Sequence, residues 1–495
     1  MPDLYLTLAF ATAVFLLFRY YAKYKLSYWK RQGIEELPNT DLVFGNLKDG
    51  VLFRTSPGYH VGVLHRSAVN KDAPITGFYI FHKPCLLIRD TEIIKNILIR
   101  DFDNFSDRVF SGDLQRESID MKNLFGLKSA PWKHLRSKVV PTFNISKMKQ
   151  MLPLIIQTGE TMADYLREES VSSNGKMVID AQEMNYKYAS GLIANIALGT
   201  PMNMFRASNE FTKFAHKFFH GFKRRVALVA LFFIPEVATF IGPKMLVNVS
   251  SIKKILRQVL QEREESGQRR GDFIDSLIEM KNGEQNPIHR LEGENLLDVT
   301  GTFFSGFESS SLSITFTLFE LAGKPEYQEK ARQEIEKAIE EYGMTYEAFN
   351  HMKYVDQCLN EGLRLHPPIS TIDRVARNDY KIPGTNHIIK KGTAIYISLY
   401  GMQTDPRFFD QPDVFDPSRF DGTKQISDAY MPFGIGPRMC LGVKSGELHS
   451  KVALAIILRD YIVMRNPKEE LILDPKYTFT GGVDGMKLYF EKIVK

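Results

Sequence analysis

A decapeptide near the C-terminal end constrains this chain more than any other stretch. Residues 433–442 read Phe-Gly-Ile-Gly-Pro-Arg-Met-Cys-Leu-Gly. Three glycines and a proline define a tight loop, and the apolar run Val452–Leu458 beyond it reads as one face of a helix beginning near Gly442. Cys440 is thereby presented at a helix N-terminus, where unpaired N–H groups and the helix dipole favour a thiolate. Gly434 and Gly436 leave no side chain above the loop, so a large flat ligand can approach the backbone, while Arg438 sets a positive charge two residues from the sulfur. A lone cysteine is commonly just a small buried hydrophobe. The register of Phe433, two glycines, Arg438 and Gly442 argues against that here.

A haem, whose iron takes an axial ligand and whose propionates take cations, fits this arrangement. The decapeptide resembles the haem-binding loop Phe-x-x-Gly-x-Arg-x-Cys-x-Gly of the cytochrome P-450 superfamily, matching at every specified position. The resemblance implies a mainly α fold with a smaller β region and haem b as cofactor. It makes Cys440 the proximal iron ligand, with Phe433 near its sulfur, Arg438 on a propionate and Gly442 completing the loop.

The chain has 495 residues, 44% apolar and 25% charged, enough to bury a large core. Length alone suggests about three domains. With no linker, repeat or low-complexity tract, the expectation is instead an anchor at 1–22, a basic linker and hinge at 23–50, and one catalytic domain at 51–495. The net charge of +6 is spread along the chain, which disfavours nucleic acid and suits an acidic protein partner or an anionic membrane surface. Cys85, Cys358 and Cys440 are far apart and odd in number, so neither a disulfide framework nor a zinc site is expected, and the body reads as lying in a reducing, cytosolic setting. On that topology the Asn-x-Ser triplets at Asn104, Asn144 and Asn248 stay unglycosylated.

Leu4–Phe18 carries no charge and is followed by Arg19, Lys23, Lys25, Lys30 and Arg31. That order places the C-terminal side in the cytosol and predicts a retained anchor in the endoplasmic reticulum membrane, not a cleaved signal. Family members usually have a proline-rich hinge next; Gly33–Asp49 holds only Pro38. Ile75–Ile88 reads as a hairpin broken at His82–Pro84, and Thr91 opens a short helix. Asp101–Lys128 is a long loop without period, and by resemblance it closes over the distal pocket. Phe105, Phe110, Leu124 and Phe125 thus become candidates for substrate contact. A helix starting at Pro131 places Trp132 and Arg136 on one face, four residues apart. They resemble the family's Trp-x-x-x-Arg propionate clamp, in a stretch most like microsomal members of the arthropod detoxifying branch.

Val226–Gly242 is strongly apolar behind Lys223-Arg224-Arg225, interrupted by Pro235 and Glu236. It reads either as a membrane-dipping hairpin with basic residues at the lipid surface or as a buried helix. Gly293–Leu321 reads as one long helix, with a glycine and several hydroxyls at its centre in Ser305-Gly306-Phe307-Glu308-Ser309. Such a local choice is poor for a helix and tends to mark function. The family pattern there is Ala-Gly-x-Glu/Asp-Thr, with Ser305 replacing Ala and Ser309 replacing Thr. Reductive splitting of dioxygen consumes two protons, which a hydroxyl and a carboxylate can pass inward. Gly306, Glu308 and Ser309 are accordingly the expected catalytic constellation.

Glu361 and Arg364, three apart on a further helix, resemble the family's Glu-x-x-Arg pair, which Arg419 closes into a structural network. Arg374 matches a further propionate arginine. Ile369, Ile372, Phe303, Phe304 and Phe307 are expected to give the pocket an apolar, aromatic-rich wall. Short strands are predicted at Tyr380–Ile382, Ile388–Ile389 and Ala394–Ser398, with a turn across Gly481–Lys487. Ser445 stands where the family usually has Phe.

The reaction implied by the resemblance is RH + O2 + NADPH + H+ → ROH + H2O + NADP+. Electrons come from NADPH–cytochrome P-450 reductase, with cytochrome b5 as a further donor, and Lys133, His134, Lys138 and Lys444 form a candidate docking face. The substrate expected is a small hydrophobic molecule, foreign compound or endogenous. Two alternatives stand beside this reading, a haem-thiolate isomerase or lyase and a non-catalytic membrane haem protein.

Overall fold

The computed structural model describes residues 2–110, 123–206, 211–213, 221–236, 250–287, 290–468, 470–478, 480–482 and 486–494. Helix α1, Pro2–Lys25, carries a stretch from Leu4 of mean hydropathy 1.5, long and apolar enough to cross a membrane, with Lys23 and Lys25 in its last turn. The segment after α1 is no loose hinge. Trp29 is buried and its indole Nε1 donates to the Phe78 carbonyl at 3.3 Å; the Leu37 N–H donates to the Gly77 carbonyl at 2.9 Å; the Tyr79 hydroxyl donates to Glu36 at 2.6 Å. Glycine at 77 makes this fit, since a Cβ there would stand 2.3 Å from the Trp29 ring. The packed body therefore begins near Tyr28, not at residue 51.

Four strands form the main sheet: β1 (Ile75–Ile80), β2 (Lys83–Ile88), β3 (Thr371–Val375) and β4 (Ala394–Ser398), in the order β1-β2-β4-β3. β1 and β2 make the expected hairpin, Ile75 opposite Ile88, and β2 runs parallel to β4. A second sheet joins Lys176–Asp180, Lys487–Lys492 and Tyr461–Met464, and a two-stranded ribbon pairs Tyr380–Lys381 with Ile388–Ile389. Residues 483–485 of the turn expected at Gly481–Lys487 lie outside the described residues, as do 111–122 of the long loop.

The helical side holds α2 (Ser129–Val139), α3 (Phe222–Phe233), α4 (Gly301–Ala322), α5 (Lys353–Leu365) and α6 (Val443–Asp460). At its centre α4 packs on Ala181–Leu192, α5 and α6. Its buried hydroxyls are satisfied locally: Ser311 donates to the Glu308 carbonyl, Thr315 to Ser311 and Thr317 to Ser313, at 2.7–2.8 Å. That lets a hydroxyl-rich helix run through the core. The helix expected over Gly293–Leu321 is in fact two, Gly293–Val299 and α4. They divide at Thr300, whose carbonyl accepts from the Phe303 N–H at 2.9 Å, a step of three residues in place of four.

α3 corrects the hairpin reading of Val226–Gly242 over its described part. Ala227, Val229, Ala230, Phe232 and Phe233 are buried, and Arg224 and Arg225 turn inward to ion pairs instead of outward to lipid. The remainder, 237–242, lies outside the described residues. Of the Asn-x-Ser triplets, Asn144 caps helix Ile145–Ser172 and the Asn104 side chain accepts from the Asn378 N–H. Asn248 lies outside the described residues.

Candidate active site

The decapeptide loop is tied by its own backbone. The Cys440 N–H donates to the Phe433 carbonyl at 2.8 Å and Met439 to Gly436 at 2.9 Å; Gly442 then caps α6. Gly434 and Gly436 have φ of 68° and 78°. At Gly436 a side chain is excluded by protein, not by a ligand, because a Cβ would stand 2.0 Å from the Leu98 carbonyl oxygen. This corrects the reading that both glycines clear room for a flat ligand.

Cys440 is open to a cavity of about 410 Å³ while lying deep within the fold. Burial pushes its thiol up, against the Gly442 N–H and the Arg136 charge, which pull it down. Burial thus outweighs the helix terminus at this sulfur, and a coordinated metal would favour the thiolate. The same cavity is lined by Gly306, Phe307, Glu308 and Ser309 of α4. A Cβ on Gly306 would meet nothing within 4 Å, so α4 has a notch facing the cavity.

The cavity is ringed by cations from four separate elements. Trp132 and Arg136 come from α2, with the guanidinium 5.7 Å from the indole ring. The Arg438 guanidinium lies 4.3 Å from the same ring and donates to the Leu127 carbonyl at 2.7 Å. Arg374 comes from β3, and Arg108 from the described part of the long loop, where it donates to Asp373 at 3.4 Å. Burial, then the charge of Arg108, lowers Arg374 to about 9; burial, then Arg108 and Arg374, lowers Arg438 to about 8. The Nε atoms of Arg374 and Arg438 are buried without a hydrogen-bond partner among the described residues. Buried cations that repel one another, with donors to spare, call for anions. Two propionates answer both needs, so the residues present fit haem b. Arg108 was missed in the sequence, where Asp107-Arg108 inside an aperiodic loop carries no spacing signal.

Glu308 and Ser309 are both engaged. Arg224 of α3 donates to Glu308 Oε2 at 3.0 Å, and the Ser309 hydroxyl donates back to the Gly306 carbonyl at 2.8 Å, which Ser310 also reaches at 3.1 Å. Phe307 stacks on His449 of α6, centroids 5.4 Å apart, and His449 shares a 3.2 Å hydrogen bond with Ser445. Ser445, which stands where the resemblance leads one to expect a phenylalanine, is thus buried against His449.

Among the expected wall residues, Phe125, Phe303, Phe307, Ile369, Ile372 and Leu124 line the cavity. Phe105 does not: it is fully buried in a separate core and packs edge-on against Tyr380, 4.9 Å between centroids. Phe110 stands one layer back, against Phe125 and Phe232 at 5.3 and 4.5 Å. The Phe304 side chain lies outside the described residues. On the proximal side Arg364 makes a two-pronged bond to Glu361, at 2.7 and 2.8 Å, and Arg419 reaches the same carboxylate at 3.3 Å.

The family model described as Cytochrome P450 matches residues 43–480. The chain is 34% identical to cytochrome P450 6k1 of Blattella germanica, over 97% of this chain and 96% of that one. It is 32% identical to probable cytochrome P450 6g2 of Drosophila melanogaster, over 93% and 94%, and 31% identical to cytochrome P450 6a8 of the same fly, over 99% of both. These matches make the class a haem-thiolate monooxygenase. The chain belongs to the cytochrome P450 family, on its arthropod branch.

Proposed function

We propose that this protein inserts one oxygen atom of O2 into small hydrophobic molecules, foreign compounds foremost, while anchored by α1 in the endoplasmic reticulum membrane. Electrons reach it from NADPH through NADPH–cytochrome P-450 reductase, with cytochrome b5 as a further donor. Haem b, when bound, supplies the redox-active iron at which dioxygen is reduced. Cys440 would be its ligand, Phe433 and Gly442 would shape the ligating loop, and Trp132, Arg136, Arg374, Arg438 and Arg108 would hold its propionates. Gly306 would leave room beside the cofactor, Glu308 and Ser309 would hand protons inward, and the aromatic and isoleucine wall would keep water from the reacting carbon. Glu361, Arg364 and Arg419 brace the proximal side.

The observation that carries this reading is one cavity lined both by Cys440 and by the notched, acid-bearing stretch Gly306–Ser309 of α4. Lys133, His134 and Lys138 of α2, with Lys444 of α6, supply the basic face for the reductase. Two measurements test it. The ferrous protein under carbon monoxide must show the red-shifted Soret band of thiolate ligation, lost in Cys440→His. Purified with its reductase, it must oxidise an apolar substrate at the expense of NADPH; absence of either result overturns the proposal.

A further inference from the structure

We infer that Arg224 is a positioning residue that makes proton delivery by Glu308 depend on how α3 sits over the cavity; this rests on the monooxygenase reading above. Arg224 and Glu308 meet at 3.0 Å with side chains only 13% and 11% exposed. A charge-assisted bond so sheltered is strong, and it occupies one of the two carboxylate oxygens. An oxygen already taken by the guanidinium is not available to the hydroxyl or water that would relay a proton.

The helix that supplies the arginine also forms the cavity wall. Arg224, Leu228, Leu231 and Phe232 line the cavity, and their spacing of four, seven and eight residues puts them on one face of α3. The neighbouring Arg225 faces elsewhere, donating to Asp474 at 2.9 Å with its guanidinium 4.1 Å over Tyr477. One turn of α3 is therefore held on two sides, by the acid of α4 and by the 474–477 segment. A substrate that presses on Leu228, Leu231 and Phe232 acts on the same rigid rod that holds Arg224. Its arrival draws the guanidinium off Glu308 and leaves both carboxylate oxygens open to the proton path. Reductant is then spent on product only when the wall reports an occupant.

The test compares wild type, Arg224→Gln, Arg224→Lys, Glu308→Gln and the Arg224→Gln/Glu308→Gln double variant, each haem-loaded and reconstituted with reductase. In Arg224→Gln, NADPH consumption without substrate is expected to rise roughly tenfold, the equivalent of one charged hydrogen bond, and to respond little to added substrate. Arg224→Lys restores most of the substrate dependence. In the Glu308→Gln background the arginine change adds nothing. Hydrogen exchange across residues 222–233 is faster in Arg224→Gln, and faster in wild type once substrate is bound. Substrate-free consumption in Arg224→Gln equal to wild type overturns the inference, as does an undiminished effect of the arginine change in the Glu308→Gln background. Should Arg224→Gln fail to fold, unchanged exchange of 222–233 in wild type on substrate binding overturns it equally. A wild type that never turns over with NADPH sinks instead the reading on which the inference rests.

Discussion

Arg364 grips Glu361 through two parallel hydrogen bonds while its remaining N–H groups donate to the carbonyls of Gln403, Pro412 and Val414, at 2.7–3.0 Å. Both side chains are fully buried. One guanidinium thus ties the end of helix Leu399–Gln403 to the chain at Pro412 and Val414, ahead of the cysteine loop. Arg364→Lys keeps the charge and loses the fork, leaving several of those carbonyls unpartnered. The expected cost is about 3–5 kcal/mol, enough to abolish a stable holoprotein. Thermal melting with haem titration checks it; a melting point within a degree or two of wild type contradicts the assignment.

The propionate arginines predict opposite effects on the two forms of the protein. Arg374→Ala removes one of several mutually repelling buried cations, so the haem-free chain should be no less stable than wild type. Haem affinity should nevertheless fall by roughly tenfold or more, since a charge-assisted bond to the cofactor is lost. Measuring both on one preparation separates a cofactor contact from a packing residue, which would weaken the two together.

Ser309 offers a test on the proton path. It lacks the branched carbon that limits the rotamers of threonine. Ser309→Thr is expected to lower hydrogen peroxide released per NADPH by roughly twofold, and Ser309→Ala to raise it. Coupling that stays level or worsens with threonine would show that the serine carries no penalty here.

Acid stability should report on His449. Burial lowers it from 6.5 to about 3, so it stays neutral in the folded protein. The unfolded chain then binds the extra proton first, and stability falls as pH drops below about 6.5, continuing until the folded-state value near 3 is reached. Above 6.5 the contribution is constant. In His449→Gln the acid limb of the denaturation curve should flatten over that window. An unchanged limb would place the acid sensitivity elsewhere, with buried His65 the next residue to change.

Local spacing made part of this legible. Trp132 with Arg136, and Glu361 with Arg364, lie four and three apart, so backbone geometry alone puts each pair on one helix face. The cysteine loop was readable for the same reason. Arg108, Arg224 and His449 were not, because each acquires its neighbours only when distant segments pack. Phe105 shows the converse failure: a phenylalanine in a loop suits a pocket wall and a core equally, and the ring of Tyr380 decides. Thr300 ended a helix that periodicity would have continued, through a three-residue step that no side-chain pattern announces. Residues 23–50 looked like a basic linker and hinge on composition. Trp29, Leu37 and Leu47 are instead core residues, a pattern too sparse to read as periodic.

That stitched N-terminal stretch bears on how the enzyme stands on a bilayer. Between Lys25 at the end of α1 and Trp29 in the core there is less than one helical turn of chain, too little to act as a tether. With α1 in the bilayer as proposed, any tilt imposed on it would pass directly to the sheet, and through it to the cavity. Bilayer thickness should therefore set the height at which greasy compounds meet the enzyme, as a mast stepped in the keel sets the trim of a boat.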